Sequence, residues 1–560
     1  MKPRRSLARF AALFTAVIVV TVWQAAPHGQ SAPAASLDDK VNAIFARWDS
    51  TSTPGCTIAV SVKGQVVLGK GYGMADLEHG AVVTPETIFE AGSVAKQFTA
   101  AAVLLLAREG KLSLDDPARK YVPELPDYGQ PLTIRHMLQH TSGLRDWGTM
   151  ADLNGWPRTT RAHTHAHVLD IASRQTALNF KPDADWSYSN TGYNLAAIIV
   201  SRVSGESFAE FTRKRIIEPL GMSRTSWRDD YTRIVRNRAM AYSFRAGVFS
   251  TLMPFESVHG NGGLLTTVGD LLKWNENLDS PKVGDAAFVA DEQRSGRLDN
   301  GREHGYGLGL FLGTYKGVRE VYHGGATAGY RAFLTRFPDQ RVSVASLCNV
   351  TAGAAESYAH AVADLFLADA IRPDPAPPAV KLSAAELGAY AGFYRSRKRG
   401  LVTTVIVAQD ALRMTPGGAL QPQSGSTFRS PGGAAIEFSV TAGAMTMRVR
   451  AANGTEDTWE RVERAKPAPE ELAEYAGTYQ SADAEAAVTI AVEGSALKIK
   501  ARPDLVQTLS PLYADAFDSP LGVVIFRRDA RRQVTAFSVV LDRAWDVRFD
   551  RVMPQPAPAR

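Results

Sequence analysis

The sequence predicts an α/β sandwich with an antiparallel sheet, followed by two small antiparallel β-barrels. Three observations predict it. Strand-like patterns stand at both ends of residues 37–370 with helical patterns between them; a Pro/Ala-rich break follows at 373–379; and the chain beyond that break consists of short strands whose pattern occurs twice.

The sheet comes first. Residues 56–73 (CTIAVSVKGQVVLGKGYG) read as two strands turning at Lys63-Gly64. Residues 317–349 read as three more, with turns near Gly324–Gly329 and at Pro338-Asp339-Gln340. If the first and last strands pair antiparallel, Cys56 and Cys348 come close together. They are the two cysteines of the chain, and whether they are bridged or reduced is open at this level. Between the strands, residues 98–108 (FTAAAVLLLAR) are apolar nearly all round, as a buried helix is, and Gly110 can end it.

The C-terminal repeat is explicit. Residues 386–394 (ELGAYAGFY) match 471–479 (ELAEYAGTY), and Trp459-Glu460-Arg461-Val462 parallels Phe549-Asp550-Arg551-Val552. A second joint, 466–469 (KPAP), separates the copies. Short strands in a unit this small favour a closed barrel, which removes exposed edges. The expected organisation is a signal segment at 1–34, an α/β domain at 37–370, a linker at 371–380 and barrels at 381–465 and 470–556. Tyr390/Tyr394 and Tyr475/Tyr479 are the expected strand starts and barrel core.

Composition narrows the class. An apolar share of 45% with 21% charged residues is the balance of a globular chain. The net charge of +6 is partly concentrated in the N-terminus, and no long Lys/Arg block occurs elsewhere, so nucleic acid is not an expected partner. Lys2, Arg4, Arg5 and Arg9 precede the apolar run 10–23 and a small-residue stretch. That is the pattern of an export signal with cleavage near Ala26 or Ala34, and it predicts a periplasmic or secreted protein without a membrane span after cleavage.

Three motifs carry chemistry. In Ser93-Val94-Ala95-Lys96 the i, i+3 spacing puts a hydroxyl and an amine on one face at the start of the buried helix. Serine needs a base, and lysine serves as one when desolvation and positive potential lower its pKa. The pattern alone is weak. The second motif is Tyr188-Ser189-Asn190. In an extended loop both ends of this triplet face one pocket, and a phenol beside a cationic lysine loses its proton more easily and can shuttle it. Alone, a structural Tyr/Asn turn is the better reading. The third is His323-Gly324-Gly325-Ala326 at the end of an expected edge strand, where the glycines let a substrate lie against backbone. The Ser93 and Ala326 amides would form an oxyanion hole, with Gly325 beside the substrate backbone.

S-x-x-K, Y-x-N and basic-x-Gly in this order resemble the serine β-lactamase and penicillin-binding protein superfamily. Stretches such as Gly110–Pro117, His140-Thr141-Ser142-Gly143-Leu144, Gly262–Thr267 and Tyr306-Gly307-Leu308-Gly309 extend the resemblance over roughly residues 40–367, closest to the class C β-lactamase-like branch. It implies a β-lactamase/transpeptidase-like sandwich, lipocalin-like barrels, and catalytic roles for Ser93, Lys96, Tyr188, Asn190 and His323. No cofactor or metal is required. The implied substrates are small amides, short peptides, D-amino-acid compounds, cell-wall fragments or esters; a β-lactamase and a non-turnover β-lactam or cell-wall sensor are the alternatives. His323-Gly324-Gly325 replaces the usual Lys-Thr-Gly and looks like the H-x-G variant of D-aminopeptidase, in which a barrel loop reaches the active site. Nothing in the sequence marks such a loop here. Asp183 stands where relatives often have Gly. His163, His165 and His167 alternate as strand ligands for a metal would, but they lack carboxylate partners and read better as a loop or helix start. His140 and His259 are expected to tie down loops.

Overall fold

The computed structural model describes residues 36–372 and 380–552, apart from Thr159 and Ala442. The expected export segment and most of the Pro-rich joint lie outside the described residues.

The central sheet has six antiparallel strands, in the spatial order Phe311–Tyr315, Val318–Thr327, Tyr330–Phe337, Val342–Cys348, Cys56–Val62 and Gln65–Tyr72. Alternation sets its two faces. Ile58, Val60 and Val344 pack on the helices Leu37–Phe45 and Ala355–Leu367, while Ala59, Ala345 and Leu347 face the helical layer that contains Ala95–Arg108, Asn190–Ser204 and Val268–Asp279. The hairpin turn at Lys63-Gly64 has φ of 50° and 80°, left-handed at both positions.

The structure corrects two strand expectations and narrows a third. Phe311–Tyr315 is a sixth strand that the sequence did not suggest. It pairs with residues 318–322, so the strand Val318–Thr327 is not the sheet edge along its whole length; residues 323–327 lie beyond that pairing. The turn expected near Gly324–Gly329 falls at the end of that stretch: the strand runs through Gly324 and Gly325 to Thr327, and the chain reverses at Ala328-Gly329. At Phe311–Tyr315 and at Gly324-Gly325 pairing to neighbouring strands overrides the local glycine signal.

Cys56 and Cys348 are directly opposed in the antiparallel register of first and last strands, and they are bridged. The disulfide joins positions 292 residues apart and ties the start of the sheet to its end.

Both C-terminal units open with a short helix, Ala384–Tyr390 and Pro469–Glu474, leading into a strand, Gly392–Ser396 and Gly477–Ser481. The repeated tyrosines explain the repeat. Tyr394 donates its hydroxyl to the Tyr390 carbonyl, and Tyr479 donates to that of Tyr475, each at 2.8 Å. In both copies the second tyrosine is fully buried. The second unit is a closed eight-stranded barrel. The first is nearly closed: its nine-stranded sheet ends in Gly418–Ala419 and Gln421–Pro422, which flank Leu420 without pairing with each other.

The second barrel shares a core with the α/β domain. Trp147, Met150, Ala151, Leu153, Val168 and Ile171 pack in one apolar cluster with barrel residues such as Leu472 and Val488. Buried Arg145 reinforces the joint, donating to Asp483 at 2.6 Å and to the Asp546 carbonyl at 3.1 Å.

Closure of so long a loop stabilises chiefly by restricting the unfolded chain. Replacing both cysteines by alanine is therefore expected to lower unfolding free energy by about 2–5 kcal/mol, measured by chemical denaturation of oxidised wild type against the double variant.

Candidate active site

Ser93 lies in the 3-10 turn Gly92–Val94, which runs straight into the helix Ala95–Arg108. The turn is anchored upstream. Glu90, buried, accepts from Arg228 Nε at 2.8 Å and Nη2 at 3.0 Å, and the Ala91 amide donates to the Leu264 carbonyl at 2.8 Å. Gly92 has φ 51°, and a Cβ there would come within 2.7 Å of the Ala326 nitrogen; a Cβ on Gly325 would lie 2.0 Å from the Ala91 carbonyl oxygen and 3.2 Å from the Ser93 nitrogen. Glycine at both positions lets the nucleophile turn and the strand press together, which sets the Ser93 and Ala326 amides side by side.

Lys96 is fully buried. Its Nζ lies 3.1 Å from Ser93 Oγ, 2.9 Å from Asn190 Oδ1 and 2.7 Å from the Asn261 carbonyl oxygen. Burial first, then the Arg543 guanidinium, holds the amine well below its ordinary range, with Asp146 opposing. A neutral amine has two hydrogens and one lone pair. The two carbonyl oxygens can only accept, so they take both hydrogens and leave the lone pair to the Ser93 hydroxyl. This is the geometry of a general base.

Tyr188 and Asn190 come from the same segment but not from one extended loop. Asn190 is the first residue of the helix Asn190–Ser204, and Ser189 is its N-cap. The Asn190 amide donates to Asp146 Oδ2 at 2.7 Å. Lys96 Nζ lies 4.8 Å from the Tyr188 ring centroid. The expectation of an acidified phenol fails: burial pushes the Tyr188 hydroxyl up, while its contact with Ser93 and the Arg543 charge only partly offset that. Burial outweighs those two effects, so the phenol keeps its proton and stands as a donor.

His323 sits across from Tyr188, ring centroids 6.2 Å apart. Its Nδ1 donates to the Gly324 carbonyl at 2.6 Å and its Nε2 accepts from the Tyr306 hydroxyl at 3.0 Å. Burial and Lys96 bring its pKa down to about 3. It is a neutral, fixed ring at neutral pH and not a cation for a substrate.

The supporting residues are equally specific. Buried His140 accepts from Ser189 N at 3.2 Å and packs on Tyr188 at 4.2 Å, holding the tyrosine loop as expected of it. Asp183 has φ 61°, the region that favours glycine, and its carboxylate binds His136 at 3.0 Å. His163, His165 and His167 diverge: His163 bonds the Trp156 carbonyl, His165 the His259 carbonyl, and His167 caps the helix His165–Ser173. Sequence reasoning missed Asn261, Asp146 and Arg543. Asn261 stands between Gly260 and Gly262, and that Gly-flanked polar residue was a signal. Arg543, in the second barrel, had none.

Ser93, Tyr188, Asn190, Asn261 and His323 line a cleft of about 1020 Å³ to which all three units contribute, with Lys398 and Asp457 from the first barrel and Arg543 from the second. The model of the family described as Beta-lactamase matches residues 41–369. The chain belongs to the beta-lactamase family. Among its beta-lactamase-related relatives, penicillin-binding protein 4* of Bacillus subtilis (strain 168) is 29% identical over 308 residues, which is 52% of this chain and 67% of that protein. An octameric penicillin-binding protein homologue from Pyrococcus abyssi superposes with a TM-score of 0.54 at 24% identity, covering 84% of this chain and 98% of that one. The D-amino acid amidase of Ochrobactrum anthropi SV3 gives 0.52 at 22% identity, over 60% of this chain and 99% of its own. The last two establish likeness of fold.

The buried neutral histidines make stability pH-dependent. His323, held near 3, and His304, brought down to about 4 by burial, have ordinary values of 6.5 when unfolded. Their contribution is complete above pH 6.5 and is lost as pH falls toward 4 and 3, because the unfolded chain binds protons that the fold excludes. Each is expected to steepen the acid loss by about 1.4 kcal/mol per pH unit. Denaturant unfolding of wild type and His323→Gln between pH 6.5 and 4.5 measures it; the variant should show the shallower slope.

Proposed function

We propose that the chain is an exported serine hydrolase that works through an acyl-enzyme on short amides or peptides, foremost D-residue-containing ones such as cell-wall fragments, with esters close behind. The observation that carries this is the convergence of Ser93, Lys96, Tyr188 and Asn190 from separate elements at the mouth of one buried helix. The H-x-G form of the third motif supports the D-aminopeptidase-like variant of the class C branch. The penicillin-binding name of the Bacillus relative fits a site for cell-wall-type acyl groups. Export is supported by the N-terminal pattern and by the disulfide, which persists in oxidising compartments.

The steps follow from the protonation states. Neutral Lys96 accepts the Ser93 proton as Oγ bonds the substrate carbonyl carbon. The oxyanion takes hydrogen bonds from the Ser93 and Ala326 amides. Tyr188 gives its proton to the leaving nitrogen or oxygen and is reprotonated by the ammonium of Lys96, so the amine is neutral again when the bond breaks. Water then attacks the acyl carbonyl, loses its proton to the same pair, and Ser93 leaves with a proton returned. His323 fixes the strand edge on which a substrate backbone lies. Because it is neutral, efficient penicillin hydrolysis is disfavoured relative to relatives with a fixed cation there.

Ser93→Ala is expected to abolish turnover and labelling by a fluorophosphonate probe; persistent labelling of that variant disproves the assignment. Tyr188→Phe should retain labelling while kcat/KM falls by about 100-fold or more. A panel of D-amino-acid amides, p-nitrophenyl esters and a chromogenic cephalosporin, assayed on the full chain, ranks the substrates. Fastest turnover of the cephalosporin would instead indicate a β-lactamase, and one stable acyl equivalent without product a sensor.

A further inference from the structure

The second barrel reaches into the cleft. Residues 541–546 join its strands Val534–Val540 and Val547–Arg551 and enter beside Tyr188. The α/β domain holds this loop in place. Asp146 N and Asn179 Nδ2 donate to the Arg543 carbonyl at 3.1 and 3.2 Å, and Trp545 N donates to Asn179 Oδ1 at 2.7 Å. Trp545 packs on Phe180 with centroids 5.1 Å apart. The backbone of Arg543 is thus fixed by the domain that carries the nucleophile, and its guanidinium lies 4.8 Å from the Tyr188 ring centroid.

The other cations of the cleft are engaged. Arg158 pairs with Glu256, Lys398 pairs with Asp185, and Arg399 lies 3.7 Å from Asp542. Arg331 donates to the carbonyls of Ala328 and Tyr330 at 3.0 and 2.7 Å. His323 is bonded to the Gly324 carbonyl through Nδ1 and to the Tyr306 hydroxyl through Nε2, and the Lys96 amine is bonded to Asn190 Oδ1 and the Asn261 carbonyl. Among the described residues, no carboxylate or carbonyl pairs with the Arg543 guanidinium. A guanidinium resting over an aromatic face keeps its N–H edge free for a bidentate carboxylate.

The geometry points to Arg543 as a carboxylate-binding residue: the second barrel supplies the charge that selects acyl substrates bearing a free carboxylate close to the scissile bond. This rests on the reading of Ser93 as the acylated nucleophile, and it adds the substrate's charge class. It also assigns the loop a task that the strand residue His323, being uncharged, does not perform.

The test separates binding from chemistry. In full-length Ser93→Ala protein, calorimetry compares N-acetyl-D-alanyl-D-alanine with its C-terminal amide. The acid is expected to bind about tenfold or more tighter, and adding Arg543→Ala should weaken the acid by about 10- to 100-fold, bringing the acid-to-amide ratio close to one. Arg543→Lys should keep part of the preference, and thermal melts verify that each variant is folded. Equal binding of acid and amide before the arginine is changed, no binding of the acid, or a ratio that survives Arg543→Ala in folded protein overturns the inference. A parallel fall for both ligands overturns it too, since that marks a purely electrostatic effect on the site. Fluorophosphonate labelling of Ser93 in otherwise wild-type protein reads the acyl-enzyme proposal separately, so one can fail while the other stands.

Discussion

The active-site arrangement depends on keeping one lysine dry. Lys96 occupies the first turn of a helix buried nearly all round, and the cost of hiding an ammonium there pushes the amine toward its neutral form. Its two hydrogens are spent on Asn190 and on the Asn261 carbonyl, which leaves one lone pair and one direction for it, toward Ser93. Much of the surrounding structure maintains that state: Asp146 holds the start of the Asn190 helix, the glycines of the 260–263 turn bring a carbonyl within reach, and Arg543 adds positive potential from outside the domain.

A second constraint is where the sheet begins and ends. The first strand of the chain and the last strand of the domain are neighbours, so every helix of the catalytic layer is inserted between two halves of one sheet. Ser93 is reached soon after the first half, Tyr188 lies in the middle and His323 in the second half. Their meeting depends on the sheet closing in register, and the Cys56–Cys348 bridge sits at that seam.

What the sequence revealed follows the range of the interactions concerned. Ser93 and Lys96 were legible because their relation is local, three residues on a helix, and the repeat was legible because Tyr394 and Tyr479 make the same contact four residues back. The pairing of Cys56 with Cys348 was legible as proximity, though not as a bond. The strand Phe311–Tyr315 was hidden in a glycine-rich stretch whose order comes from pairing with 318–322. The acidity of Tyr188 was misjudged because a motif shows which groups are near one another and not how much water they keep; burial raises the phenol more than the neighbouring charges lower it. Arg543 lies 450 residues beyond Ser93 in a separate barrel, and no local pattern links them.

The apolar cluster that spans the α/β domain and the second barrel bears on how the chain must fold. Trp147 and Met150 belong to the helix Trp147–Asn154, directly after Asp146, and they share one apolar cluster with Val168 and Ile171 of their own domain and with barrel residues more than 300 positions later. Until the strands of the second barrel are made, part of the apolar surface of that helix is therefore uncovered. A protein cut at the Pro-rich joint would carry that exposed surface permanently. The site therefore reaches its finished shape only when the second barrel has docked.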